Sequence, residues 1–230
     1  MFDLTPAELE ALRLSVKVGL VSMMASLPVG FGLAYLLARC EFPGKSLVNA
    51  FVLLPLVLPP VVTGLVLLML FGSQGPLGQF FEQTLGITFA FRWTGAALAA
   101  GIMGLPLMVR AMRLSIEAVD RRLELAARTL GARRWWAFLT ITLPLSLPGV
   151  MAGAILSFAK SFGEFGATIT FVSNIPGETQ TLPIAIYSLL QTPGGDGPAW
   201  RLAILSVLVS LVAIVGAEWV ERRIRTVRLS

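Results

Sequence analysis

Long uncharged apolar runs alternate with short polar joints along this chain. Residues 18–38 carry no charged side chain, and neither do the 36 residues from Ser46 to Phe81. A bilayer-crossing helix needs about 20 apolar residues. The pattern therefore predicts five spans, at about 12–38, 47–71, 93–112, 145–172 and 199–220. The expected architecture is an all-α polytopic membrane protein with five transmembrane helices. Residues 1–10 form a short N-terminal segment before them, and residues 221–230 a basic tail after them. Pro55, Pro59 and Pro60 fall inside the second span, where they predict a kink or a break. Gly72-Ser-Gln-Gly-Pro76 opens a polar loop. A second polar stretch, 173–198, contains one apolar piece, 182–190, too short to cross.

Composition agrees with the pattern. The 230 residues are 56% hydrophobic and 13% charged, with mean hydropathy +0.81, which excludes a soluble globular chain. There is no His, so His-based triads, His metal sites and the usual proton relays are excluded. Cys40 is alone, leaving no disulfide framework and no Cys metal site within one chain. No paired carboxylates, nucleophile elbow or metal cluster is present, so an enzyme active site, a metal site and a cofactor of its own are not expected. Gly44-Lys45-Ser46 resembles the end of a phosphate loop, but Arg39 stands where that loop needs its first Gly. ATP binding by this chain is therefore not expected.

The net charge of +5 is explained by topology. With the C-terminus inside, the cytoplasmic set comprises Arg39, Lys45, Arg110, Arg113, Arg121, Arg122, Arg128, Arg133, Arg134, Arg222, Arg223, Arg225 and Arg228. The outer set is Arg13, Lys17, Arg92 and Arg201. That asymmetry obeys the positive-inside rule and puts the N-terminus outside. Nucleic acid is not needed to account for the charge.

Two places carry candidate chemistry. The first is the charged stretch from Glu117 to Pro144. Leu123, Ala126, Ala127 and Leu130 recur there at helical spacing, and Gly131 supplies a helix stop. A short helix with a small-residue face suits docking into a groove on another protein; its arginines equally suit lipid headgroups. The second is the fourth span, which carries Lys160 and Glu164. Charges near mid-bilayer cost roughly 2.5–3.5 kcal/mol on insertion scales, so they face a cavity or a partner. Four residues apart, they share one helix face and can neutralise each other. The alternative is that this face, with Ser161, Gly163 and Thr168, lines a pathway or dimer axis. The pairs Gly149/Gly153 and Ala97/Gly101 mark close helix contacts.

The charged stretch resembles the EAA loop of ABC-importer permeases. Ala126-Ala127, Gly131, Ile141, Leu143 and Pro144 fall in register with that motif. The position of its Glu is Leu125 here, and the carboxylate stands one residue earlier at Glu124. SFGEFGATITFVSNIPGETQTLP at 161–183, QTPGG at 191–195, ARTLGARRW in the charged stretch and FPGKS before the second span are similar to the molybdate/sulfate oxyanion branch. The wider match inclines to molybdate over sulfate, thiosulfate or tungstate. The resemblance implies a type I importer permease fold and a homodimer of permeases in the bacterial inner membrane. It implies two cytoplasmic ATPase subunits that hold the ATP, and a periplasmic molybdate-binding protein. It also implies that Glu124, Ala126, Ala127, Leu130 and Gly131 belong to the helix that couples to the ATPase. A secondary transporter would need several intramembrane carboxylates for ion coupling and an inverted repeat, whereas Glu164 is the only carboxylate well inside a predicted span and no repeat is detected.

Overall fold

The computed structural model describes residues 4–227, with side chains to residue 219 except at 217. Every described regular element is helical. The arginines of the basic tail have side chains outside the described set.

Helix α1 (Pro6–Arg39) starts earlier than its apolar run. Thr5 and Glu8 form a capping box: the Thr5 N–H donates to Glu8 Oε2 at 2.7 Å and the Glu8 N–H to Thr5 Oγ1 at 3.3 Å. Pro6 at the first helical position needs no partner for a missing N–H. Residues 6–10, expected as a separate N-terminal segment, are therefore the first turns of α1. Glu8 is buried and paired with Arg201 at 3.0 Å.

The second predicted span is two helices, α2 (Lys45–Val57) and α3 (Pro60–Phe71), meeting at a bend of 113°. Pro59 and Pro60 cause the break, since neither offers an N–H and each pushes the preceding residue into extended backbone. Pro55, by contrast, sits within α2. A helix not foreseen in the sequence, α4 (Pro76–Leu85), occupies the polar loop.

Helix α5 (Trp93–Glu117) is the centre of the bundle. In its most apolar stretch 67% of residues are buried, against 11% in α11 (Asp196–Val227) and 22% in α1. It packs mainly against α1 and α8 (Leu143–Phe162). Small residues permit the approach: a Cβ on Gly149 would lie 2.1 Å from Ser115 Cβ, and one on Gly101 would lie 2.7 Å from Ser26 Oγ. The predicted glycine contacts are thus α5–α8 and α1–α5 crossings.

After α5 come α6 (Arg121–Thr129), the single turn α7 (Arg134–Ala137) and a π-helical turn (Phe138–Thr142) that feeds directly into α8. The fourth span accordingly begins near residue 134 and ends at Phe162, not at 172. The chain breaks at 163–165 and resumes as α9 (Gly166–Val172), which packs on α3. Gly166 lies against Pro60, where a Cβ would stand 2.8 Å from the proline Cβ. The two broken elements therefore meet at their breaks. Helix α10 (Leu182–Leu190) has the bounds of the short apolar piece. Among the described residues four helices are long and apolar enough to cross a membrane, and the bent α2–α3 pair makes up to five.

Candidate functional site: a docking helix and a charged helix break

Asp120 caps α6 by accepting from the Arg122 N–H at 2.9 Å. At the other end Gly131 turns the chain at φ +91°, a conformation that costs L side chains roughly 1–2 kcal/mol. Its N–H donates to Arg128 O, and the Ala132 N–H reaches back to Ala127 O at 3.0 Å. These bonds satisfy carbonyls the helix end would otherwise leave open.

The helix has two faces. Leu123, Leu125 and Ala126 are exposed, as is Leu130, which is 89% exposed, with Trp135 and Trp136 beyond it. Ala127 is half-buried. So many bare apolar side chains on an otherwise charged helix form an exposed patch of the kind found at interaction sites. Glu124 faces the other way. Its carboxylate accepts from Thr142 Oγ1 and lies 3.5 Å from Arg39 Nη2 at the end of α1. Arg39 also donates to Val119 O at 3.0 Å, and Arg121 to Ala38 O at 3.3 Å. Both guanidiniums therefore serve carbonyls near a helix end, where cations are favoured. Of the five residues predicted for coupling, Ala126, Leu130 and Gly131 are presented outward. Glu124 instead fastens the helix to α1 and to the π-helical turn. Leu123, Leu125, Arg39 and Thr142 extend the set. The exposed leucines were legible as apolar positions in a polar loop, whereas the contacts of Arg39 and Thr142 depend on tertiary folding.

At the second place, Lys160 Nζ lies 2.5 Å from Glu164 Oε2. The two do not share a helix face as expected. α8 stops between them, at Gly163, and the pair closes across its C-terminus. Glu164 Oε1 accepts from the Ala167 N–H at 3.1 Å, which ties the carboxylate to the start of α9. The Glu164 side chain is 2% exposed and that of Lys160 32%. The ion pair thus presents its ammonium end outward, and Gly163 is exposed beside it. Ser161 and Thr168 turn inward. Ser161 Oγ donates to Ala100 O at 3.1 Å and accepts from Ser22 Oγ at 3.0 Å, and Thr168 is 1% exposed. Both are buried in this chain, and Ser161 links α8 to α5 and α1 through its hydroxyl.

A bundle of broken and unbroken apolar spans, with a charged helix baring leucines between two of them, defines a polytopic membrane protein. Comparison gives that class its family. Residues 26–226 match the profile of the binding-protein-dependent transport system inner membrane component. The chain belongs to this family, a multi-pass inner-membrane protein and an ABC-importer permease.

Among its relatives, the molybdenum transport system permease protein ModB of Escherichia coli (strain K12) is 56% identical over 219 residues, covering 95% of this chain and 96% of that one. ModB of Haemophilus influenzae is 52% identical, with 95% of each covered. The sulfate transport system permease protein CysW of Synechococcus elongatus is 36% identical, covering 93% of this chain and 74% of that one. The fold is shared with a solved bacterial ABC transporter that imports the polysaccharide alginate. That likeness has a TM-score of 0.74 at 17% identity, covering 96% of this chain and 80% of that one.

Proposed function

We propose that this chain is the membrane-spanning permease subunit of an ATP-driven molybdate importer. The observation that carries the reading is the 56% identity to a molybdenum permease along nearly the full length of both chains. The sulfate permease stands at 36%. The working unit is a permease homodimer with two cytoplasmic ATPase subunits, which hold the ATP, and a periplasmic molybdate-binding protein. The N-terminus is periplasmic and the C-terminus cytoplasmic, as the arginine distribution favours.

In this mechanism α6 is the coupling element. Leu123, Leu125, Ala126, Ala127, Leu130 and Gly131 seat in a cleft of the ATPase, and closure of the ATPase dimer moves the helix. Glu124 and Arg121 pass that motion to α1, and Glu124 with Thr142 passes it to the π-helical turn and α8. Rigid helices on a packed core transmit such a displacement as a rigid-body shift. The far end of α8 is the Lys160–Glu164 break, which abuts the start of α3. There Lys160 and Gly163 face the pathway, buried Glu164 holds the ammonium in place, and the ammonium group offers positive charge to a passing oxyanion.

The test is uptake of labelled molybdate by cells lacking their own permease and supplied with this chain and its companion subunits. Uptake that survives excess sulfate supports the reading. Uptake abolished by sulfate shifts the anion to sulfate.

A further inference from the structure

Beside the docking helix, two cavities join. The first, about 380 Å³, is lined by Tyr35, Arg39, Arg121, Glu124, Arg128 and Arg134. Four guanidiniums thus meet one carboxylate, and that carboxylate already pairs with Arg39. Among the described residues, Arg121, Arg128 and Arg134 have no carboxylate within ion-pair distance. The second cavity, about 570 Å³, shares Tyr35 and Arg134 with the first and continues over Phe31, Gly32, Trp135 and Phe138. Its wall is an aromatic cluster centred on Phe138, with ring centroids 5.2 Å from Tyr35, 5.4 Å from Trp135 and 6.0 Å from Phe31. A Cβ on Gly32 would meet nothing within 4 Å, so the groove is open there.

We propose that these cavities together bind one anionic phospholipid, its phosphate among Arg121, Arg128 and Arg134 and an acyl chain in the aromatic groove. Charge complementarity favours this occupant: three guanidiniums with no carboxylate at ion-pair distance among the described residues, of which Arg121 also donates to Ala38 O, sit at one end and an apolar groove adjoins them. Depth favours it over an acidic segment of a protein partner. Phe31 lies eight residues before Arg39 in a helix rising about 1.5 Å per residue, so the groove runs roughly 12 Å into the span. A partner outside the membrane does not reach that far. The exposed Trp135 at the rim has the amphipathic character of residues at headgroup level. Since Arg121, Glu124 and Arg128 belong to α6, a lipid held here steadies the helix that meets the ATPase.

Native mass spectrometry of the purified complex, permease with its ATPase subunits, tests this with phosphatidylglycerol and phosphatidylcholine of matched chains. The expected result is retention of phosphatidylglycerol over phosphatidylcholine by about tenfold, weakened roughly five-fold for each arginine removed in Arg128→Gln and Arg134→Gln. Gly32→Leu fills the groove without touching an arginine and should abolish retention, so it carries the test if the arginine variants fail to assemble. Equal retention of the two lipids overturns the proposal. So does phosphatidylglycerol that binds the permease alone but is excluded once the ATPase subunits are present, which assigns the arginines to a protein contact. Displacement by millimolar molybdate or inorganic phosphate, with Gly32→Leu silent, overturns it in favour of a free anion.

Discussion

Replacing Glu124 by Ala removes the carboxylate that joins α6 to the body of the bundle. At 3.5 Å from Arg39, two unit charges attract by roughly 5 kcal/mol at an effective dielectric of about 20. Desolvation offsets much of that gain, yet deleting one partner of a buried pair costs about 3–5 kcal/mol, because the other charge is left uncompensated. Arg39 is that other charge: its side chain is 6% exposed and its Nε has no hydrogen-bond partner. Glu124 is 24% exposed, which puts the loss at the lower end, about 3 kcal/mol, or roughly a hundred-fold rise in the undocked population of α6. Glu124→Gln keeps an acceptor for Thr142 and should lose about half as much. Hydrogen exchange over residues 121–130 of the reconstituted permease reads this directly, with uptake and ATP hydrolysis measured alongside. The expected outcome is exchange about a hundred-fold faster, with uptake depressed more than hydrolysis. The pair Arg39→Met with Glu124→Leu should recover protection relative to either single change, since an apolar pair leaves no buried charge. Unchanged exchange in Glu124→Ala would refute the fastening role.

At Gly131, a Cβ has open space in this chain, so only backbone strain and the partner limit substitution. Gly131→Asn tolerates the left-handed conformation and Gly131→Leu does not; if the ATPase contact is what matters, both should lose uptake while inserting normally, measured by uptake and membrane fractionation. For Lys160 and Glu164, Lys160→Met strands a carboxylate that is 2% exposed and should destabilise by about 3 kcal/mol. The double variant with Glu164→Gln should be milder than the sum of the singles in thermal unfolding, and additivity would argue against a coupled pair. Gly149→Leu forces α5 and α8 apart at Ser115 and should lower stability by about 1–3 kcal/mol or more, seen as a reduced unfolding midpoint; an unchanged midpoint would contradict the close crossing.

Much of the architecture was legible in the order of residues. The bounds of α10 and the start of α5 at Trp93 follow from where apolar runs meet polar joints. The break before α3 follows from Pro59 and Pro60. The capping box of Thr5 and Glu8 was also present in the letters, but the acids near the N-terminus read as a polar segment. Proline at the first position and Gly86 at φ +65° bound α4 in the same local way. The break after Phe162 had no such sign: Gly163 alone does not stop a membrane helix, and it is Glu164 capping Ala167 and Pro60 lying against Gly166 that hold the chain there. For the same reason the burial of Ser161 and Thr168 could not be read from their hydroxyls alone. The direction of Glu124 could not be read either, because its partner lies 85 residues earlier on a helix end that only the folded bundle brings near.

The most direct measurement is ATP-driven accumulation of labelled molybdate in proteoliposomes holding this chain and its ATPase subunits, with the molybdate-loaded binding protein added outside. The account predicts accumulation that requires ATP on the α6 side, persists in excess sulfate and collapses in Glu124→Ala while the complex stays assembled. Accumulation that proceeds without ATP, or that Glu124→Ala leaves intact, would contradict it.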